Sequence, residues 1–370
     1  MRRGVIVLVC VLIGTSTAAL SIPLCEYQSP LTDLSDLMIG FSYQYHNDPY
    51  GMSNGDINEG TFVVEYVGLY DKPEYGYHVT LSNDMTIAVI GVSTYTTLAD
   101  GSYKRYLVPE GDFFAFTGGS VRSSSSFQSL GLSVNAGLGY GRFTDVTPLA
   151  VATRIDDNLV ERGSITRHLH PVDLIPLAKE IASADSYESL ADLIAVVQEI
   201  VEGSGWVKAG GLDALDLSEI TRLIRDDSFS RYCGWDAKIG LGYEVLDPSG
   251  GDKDLLLIGA FNYAFTTAPR YQFLVHGTIS GPPAIAETNR IDATASYNYL
   301  ISDFLSLQAS YDFSRETWMS IPTDIHRLAI DFILEPLETA AVAFSIGLEH
   351  RPYYTEWKVD IQLSISIELL

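Results

Sequence analysis

The chain has 370 residues, of which 46% are hydrophobic and only 19% charged, with 22 Tyr and 31 Gly. That apolar content excludes a disordered chain, and a net charge of −24 excludes a nucleic-acid binder, because little basic surface is left to neutralise phosphates. No internal run reaches the roughly 18 apolar residues of a membrane-spanning helix, which excludes a helical membrane protein.

The N-terminus reads as an address. Arg2-Arg3 precedes an apolar run from Gly4 to Gly14, followed by small residues from Thr15 to Ala19. Basic flank, short apolar core and small-residue cleavage zone together mark a secretory signal over residues 1–20. The paired arginines raise the twin-arginine route, which their neighbours do not support. Cys10 falls inside the signal, whereas Cys25 and Cys233 remain in the exported chain. An oxidising compartment permits a bridge between them, with two separate thiols as the alternative. Lipid attachment at Cys25 is not expected, because Leu24 stands where a small residue would be needed.

Residues 21–143 alternate with period two, the mark of half-buried strands. Leu37, Ile39, Phe41, Tyr43 and Tyr45 oppose Gly40, Ser42, Gln44 and His46. Further on, Leu130, Leu132, Val134, Ala136, Leu138 and Tyr140 alternate with Gly131, Ser133, Asn135, Gly137, Gly139 and Gly141. Six strands are expected here, near 36–46, 60–70, 75–82, 86–96, 103–116 and 127–143.

Residues 144–233 break the pattern and read as four helices. Thr147 followed by Pro148 suggests an N-cap with proline at the first helical position, and Leu149, Ala152, Ile155 and Leu159 then recur at helical spacing. A second helix starts near Pro171. Asp185 and Glu188 resemble a capping box for a third, ended by Gly203-Ser204-Gly205. The fourth is expected from Asp216 to Arg225. Amphipathic helices of this length can bury one another's faces. With sixteen acidic and eight basic residues, the block is a poor binder of lipid surfaces.

Alternation resumes over residues 234–370, with eight strands expected near 235–247, 253–267, 270–281, 289–302, 305–316, 326–337, 340–351 and 356–369. The last is the clearest: Trp357, Val359, Ile361, Leu363, Ile365, Ile367 and Leu369 oppose Lys358, Asp360, Gln362, Ser364, Ser366 and Glu368. A soluble sandwich would pack such apolar rows inward, whereas a membrane barrel turns them to lipid. Strands of 10 or more residues suit a tilted membrane crossing. Aromatics gather at strand ends, as in an interfacial girdle. Loop lengths also alternate. Asp71–Glu74, Thr266–Pro269, Ser302–Asp303 and Glu335–Glu338 are short, while Asn47–Gly60, Thr117–Ser126, Asp247–Lys253, Gly281–Thr288 and Arg315–Asp324 fall on the other side. The short connection at Ser82–Met85 breaks this parity, so twelve strands is the alternative count.

On these features the chain resembles the Gram-negative outer-membrane β-barrel proteins, porin-like and with a helical insertion. It ends Ile367-Glu368-Leu369-Leu370 rather than in the aromatic residue usual in that family. The resemblance spans 36–143 and 235–370 and is architectural, so it implies fold and location more than activity. It implies a closed antiparallel up-and-down barrel of about 14 strands in the outer membrane, with the helical block at the periplasmic end as cap or plug. The implied function is a passive or gated channel for small hydrophilic solutes. The alternative is a non-conducting barrel that presents residues 144–233 to a periplasmic protein partner. Outer-membrane lipid is the other expected partner, and neither catalysis nor a cofactor is implied.

The lumen-lining set expected from alternation is Glu65, Asp236, Lys238, Glu244, Arg290, Asp292, Asp312, Arg327, Asp331, Glu349, Lys358 and Asp360. Such a wall either concentrates cations and polar solutes or consists of charges paired across strands. Other motifs carry less. His168-Leu169-His170 has a spacing seen in metal sites, but no third His or Cys stands near it, only Asp173, so surface histidines are expected and no metal. Gly137, Gly139 and Gly141 form G-x-G-x-G without a following helix, which fits small residues on a crowded face rather than a nucleotide loop. No nucleophile elbow surrounds any serine.

Overall fold

The computed structural model describes residues 23–27, 32–46, 57–88, 91–109, 111–226, 229–248, 254–302, 304–337, 340–352 and 356–367. The expected signal over 1–20 and the terminal residues 368–370 lie outside these.

Among the described residues fourteen strands form one antiparallel sheet in sequence order, each beside its chain neighbours. They are β1 (Thr32–His46), β2 (Ile57–Asp71), β3 (Tyr75–Ala88), β4 (Gly91–Tyr106), β5 (Phe113–Ser124), β6 (Gly131–Asp145), β7 (Tyr232–Leu246), β8 (Leu255–Phe265), β9 (Tyr271–Gly281), β10 (Asn289–Ser302), β11 (Leu305–Trp318), β12 (Ile321–Leu337), β13 (Ala340–His350) and β14 (Lys358–Ile367). Among the described residues no pairing joins β14 to β1. The described strands are thus an antiparallel meander from β1 to β14.

The expected boundaries between 82 and 127 are wrong. β3 runs straight through Ser82–Met85, where Asn83 Nδ2 donates to Thr97 Oγ1 at 2.6 Å across to β4. The strand expected at 103–116 is in turn interrupted by a reversal around Pro109 and Gly111, where Gly111 N donates to Val108 O and Leu107 N to Phe113 O. Proline and glycine favour that reversal for different reasons, one by fixing φ and one by tolerating any φ. Residues 117–124, expected as loop, belong to β5. A second correction concerns Arg315–Asp324. β11 and β12 extend into it and meet at Met319-Ser320, both at positive φ (50° and 64°), the conformation of a two-residue hairpin that follows strand twist. Short and long connections thus alternate only in part.

The helical segments are α1 (Thr147–Glu161), α2 (Pro171–Ala182), α3 (Leu190–Gly203) and α4 (Ala214–Ile224). They belong to a compact unit made of the described residues of 146–231 with residues 23–27 and the turn 266–271; the strands form a second unit. In the helical unit Leu149, Ile155, Leu159, Leu177, Leu193, Val197 and Ile220 are buried, so the apolar stripes face one another. Caps differ from expectation. Val146 rather than Thr147 precedes α1, because the Thr147 hydroxyl is taken by the backbone N–H of Arg231 at 2.8 Å. Ser189, not Asp185, caps α3 by accepting from Asp192 N; Asp185 lies in a short 3-10 turn. Asp213 caps α4 in a capping box with Asp216. Phe229 lies between two guanidinium groups, Arg154 at 4.3 Å and Arg231 at 4.2 Å. Burial, then the neighbouring Arg154 charge, pushes Arg231 down to about 9, so it remains charged at neutral pH. It donates to Pro269 O at 2.6 Å and Ser230 O at 2.7 Å. Cys25 and Cys233 are both disulfide-bonded.

Candidate functional site: the two faces of the sheet

Alternation gives the sheet one apolar and one polar face, and the apolar face is exposed. Leu37, Phe41, Ile239 and Leu363 are 60%, 67%, 72% and 66% exposed. Ile39, Leu138, Leu241, Val359 and Ile361 join them. A soluble sandwich would bury these rows; here they meet the surroundings of the sheet.

Aromatic side chains bound this face at both strand ends. At the end where β1 begins, Tyr70 stacks on Tyr77 with ring centres 4.9 Å apart, and Phe113, Tyr140, Trp235 and Phe261 follow at 4.8, 5.7 and 6.4 Å. At the opposite end Phe313, His326, His350 and Trp357 form a second row, at 5.2, 6.2 and 5.2 Å. Tyr311 completes it by hydrogen bonding to His326 Nδ1 at 2.7 Å. On β7 the sequence of the exposed face is Trp235, Ala237, Ile239, Leu241, Tyr243, an apolar stretch with an aromatic at each end.

The polar face has two parts. Across β11–β14 the register aligns charges of alternating sign: Asp312 opposite Arg327, Arg327 opposite Glu349, Glu349 opposite Lys358. Arg327 Nε lies 3.5 Å from Glu349 Oε1, and Thr294 donates to Asp312 at 2.8 Å. Lys358 pairs with Asp360 at 3.7 Å, and Arg290 with Asp292 at 2.7 Å. Asp331 sits between Gln308 and Ser345. Exposed pairs of this kind add little to stability because water and salt screen them, so they set the local potential instead.

Across β2–β9 the polar face is more crowded. One cross-strand row runs Asp71, Gly76, Lys104, Phe116, Gly137, Gly240, Ile258. Lys104 Nζ contacts Asp71 at 2.6 Å, with both side chains largely buried. Tyr106, Phe114 and Phe116 form a buried cluster with Ile258, Phe114 being 1% exposed. Their rings lie over the glycines of β6: a Cβ at Gly137 would come within 2.7 Å of Phe116, and one at Gly139 would overlap Phe114. Cations top this layer. Lys104 lies 5.7 Å from Phe114, Lys238 lies 5.2 Å from Phe116, and Arg142 stacks on Tyr106 at 3.9 Å. Beside Lys238, Asp236 accepts from Asn262 at 2.6 Å, and Asn262 meets His276 at 2.5 Å.

Of the residues expected on this face, the structure brings Asp312, Arg327, Glu349 and Lys358 into one row and Arg290 to Asp292. Asp236 and Lys238 fall beside the aromatic layer, with Glu244 further along β7 opposite Ser133. The Glu65 side chain lies outside the described residues. Sequence reasoning missed Asp71, Lys104, Phe114, Phe116, Asn262 and His276. Lys104, Phe114 and Phe116 sat in a strand read without its turn, and the Pro109 to Asp112 stretch was the signal that could have exposed them. His168 and His170 do not converge: His168 meets Asp156 at 2.9 Å, while His170 precedes α2.

No protein-family model matches the sequence, and no curated protein does so. Among solved structures the chain is similar to the CymD monoaromatic hydrocarbon channel, with a TM-score of 0.31 and 10% identity over 93% of this chain and 90% of that one. A likeness so slight bears on neither fold nor function.

Proposed function

We propose that the chain is an outer-membrane β-barrel, closed between β14 and β1, that acts as a channel for small hydrophilic solutes. The exposed apolar face bounded by aromatics carries this reading. From Trp235 to Tyr243 the strand rises about 27 Å at roughly 3.4 Å per residue. A tilt of about 40° reduces that to about 20 Å, comparable with the apolar band of roughly 25 Å in such barrels. Closure would also pair the unsatisfied edges of β1 and β14, which hydrocarbon does not tolerate. The charged rows then line the interior. The helical unit is spliced between β6 and β7, at the strand end that carries the 72–74 and 107–112 turns, and this reading assigns that end to the periplasm.

A second reading has support in the crowded half of the polar face. Phe114, Phe116, Tyr106 and the Lys104–Asp71 pair occupy space that an open pore would leave to water. A barrel narrowed in this way would serve as an anchor for the helical unit, which has its own core and could meet a periplasmic protein.

The test has two parts. Membranes from expressing cells are washed with alkaline carbonate, and the purified protein is then placed in planar bilayers. Retention in the pellet with discrete conductance steps is the expected result. Release into the wash would sink both readings, and retention without conductance would leave the anchoring one.

A further inference from the structure

Away from the sheet, ligand-type side chains converge at one place in the helical unit. Asp156 and Asp157 are consecutive on α1, and the loop after that helix folds back to bring His168 against them. His168 Nδ1 lies 2.9 Å from Asp156 Oδ2 and 3.7 Å from Asp157 Oδ1. One donor atom from each of the three falls within 4.8 Å of the others. Donors bound to one first-row divalent ion at about 2.0–2.2 Å stand roughly 3.0–3.6 Å apart in tetrahedral or octahedral geometry. His168 Nδ1 is already near that spacing from both carboxylates, and Asp157 and His168 are the exposed members of the three.

The parts of the cluster differ in rigidity. Asp156 is buried, and its second oxygen accepts from Leu169 N at 2.8 Å, which fixes the carboxylate. Asp157 and His168 are more than half exposed, so they can adjust, and further coordination positions open to water. Charge favours a cation. Burial raises the Asp156 carboxyl above its ordinary range, and the Asp156 charge adds a negative field at the exposed Asp157. Glu161 adds to the negative field at Asp157, while Arg270 and His168 oppose it.

We propose that Asp156, Asp157 and His168 form a binding site for one divalent transition-metal ion. Two carboxylate oxygens and one imidazole nitrogen suit zinc and its neighbours, whereas calcium and magnesium prefer more oxygen ligands. His168 would bind through the lone pair of Nδ1, the atom that faces both carboxylates. The proposal is independent of whether the strands conduct, since no residue of the sheet takes part. The competing description is a plain His168–Asp156 hydrogen bond with no ion.

The full mature chain in detergent, stripped with EDTA, is titrated with zinc by calorimetry at pH 7.5. One tight equivalent is expected, weakened at least tenfold in Asp157→Asn and in His168→Gln. His170→Ala, outside the cluster, should bind as the parent does. Circular dichroism of each variant shows whether the helices persist, and both changed positions are exposed enough to permit it. Zinc binding unchanged in both variants, equal loss in His170→Ala, or no heat at about 100 µM zinc would each overturn the proposal.

Discussion

Gly139 shows how closely single residues are fitted on the polar face. A methyl group there would overlap the Phe114 ring and come within 2.8 Å of the Ala237 carbonyl oxygen, so neither neighbour could yield without moving a strand. Gly40 offers a contrast within the same sheet, since its Cβ would meet only Val63 Cβ at 3.9 Å. Overpacking a filled site costs about 1–3 kcal/mol. Gly139→Ala is therefore expected to lower the unfolding free energy by that amount, with Gly40→Ala near neutral. Urea unfolding in detergent micelles, followed by tryptophan fluorescence, measures both. Equal stability of the two variants would mean that the aromatic layer is loosely packed.

Among the elements, α4 is tied to the end of α1 through one carboxylate. Asp216 accepts from Arg162 Nε at 2.9 Å and Ser164 Oγ at 2.8 Å, and Asp213 N donates to it within the capping box. Burial alone would raise this carboxyl; the Arg162 and Ser164 hydrogen bonds outweigh it and hold it below the ordinary value. A lowered folded value means the contribution is complete above the unfolded pKa of about 3.9 and is lost as pH falls through the folded one. Thermal melts of the helical signal should show that loss below about pH 4. Asp216→Asn should remove about 1–3 kcal/mol at pH 7 and flatten the acid limb, and a steep limb retained in the variant would assign it to another group. Caps such as this were only partly legible in the sequence. Thr147 carried the right chemistry for capping α1, yet Arg231, distant in the chain, took its hydroxyl. Strands were legible wherever one face was strongly apolar, as in β1, β7 and β14. They failed between 82 and 127, where Ser82, Asn83 and Asp84 look like a turn and the apolar period is weak, so no register is imposed. The charged rows show the same limit. Alternation placed Asp312, Arg327, Glu349 and Lys358 on one face, but their alignment depends on how tightly Met319-Ser320 turns.

For the whole molecule, the deciding issue is which medium touches the apolar face, and one position can separate the alternatives. Ile239 is 72% exposed at the middle of β7, about equally far from Trp235 and Tyr243. In water such a side chain is free to become polar, and Ile239→Arg would change stability by no more than about 0.5 kcal/mol. In a bilayer it faces the hydrocarbon midplane, where an arginine costs about 2–4 kcal/mol, a cost that fades towards the headgroups. Lys238, next along the chain, points to the opposite face, so Lys238→Ile is a control of similar chemistry with the contrary orientation. Refolding into lipid vesicles should therefore be impaired by Ile239→Arg by that amount, with the penalty shrinking for an arginine placed at Tyr243. A flat profile along these positions would take the apolar face out of the membrane, and the channel with it, while leaving the fourteen-strand pairing and the helical unit as described.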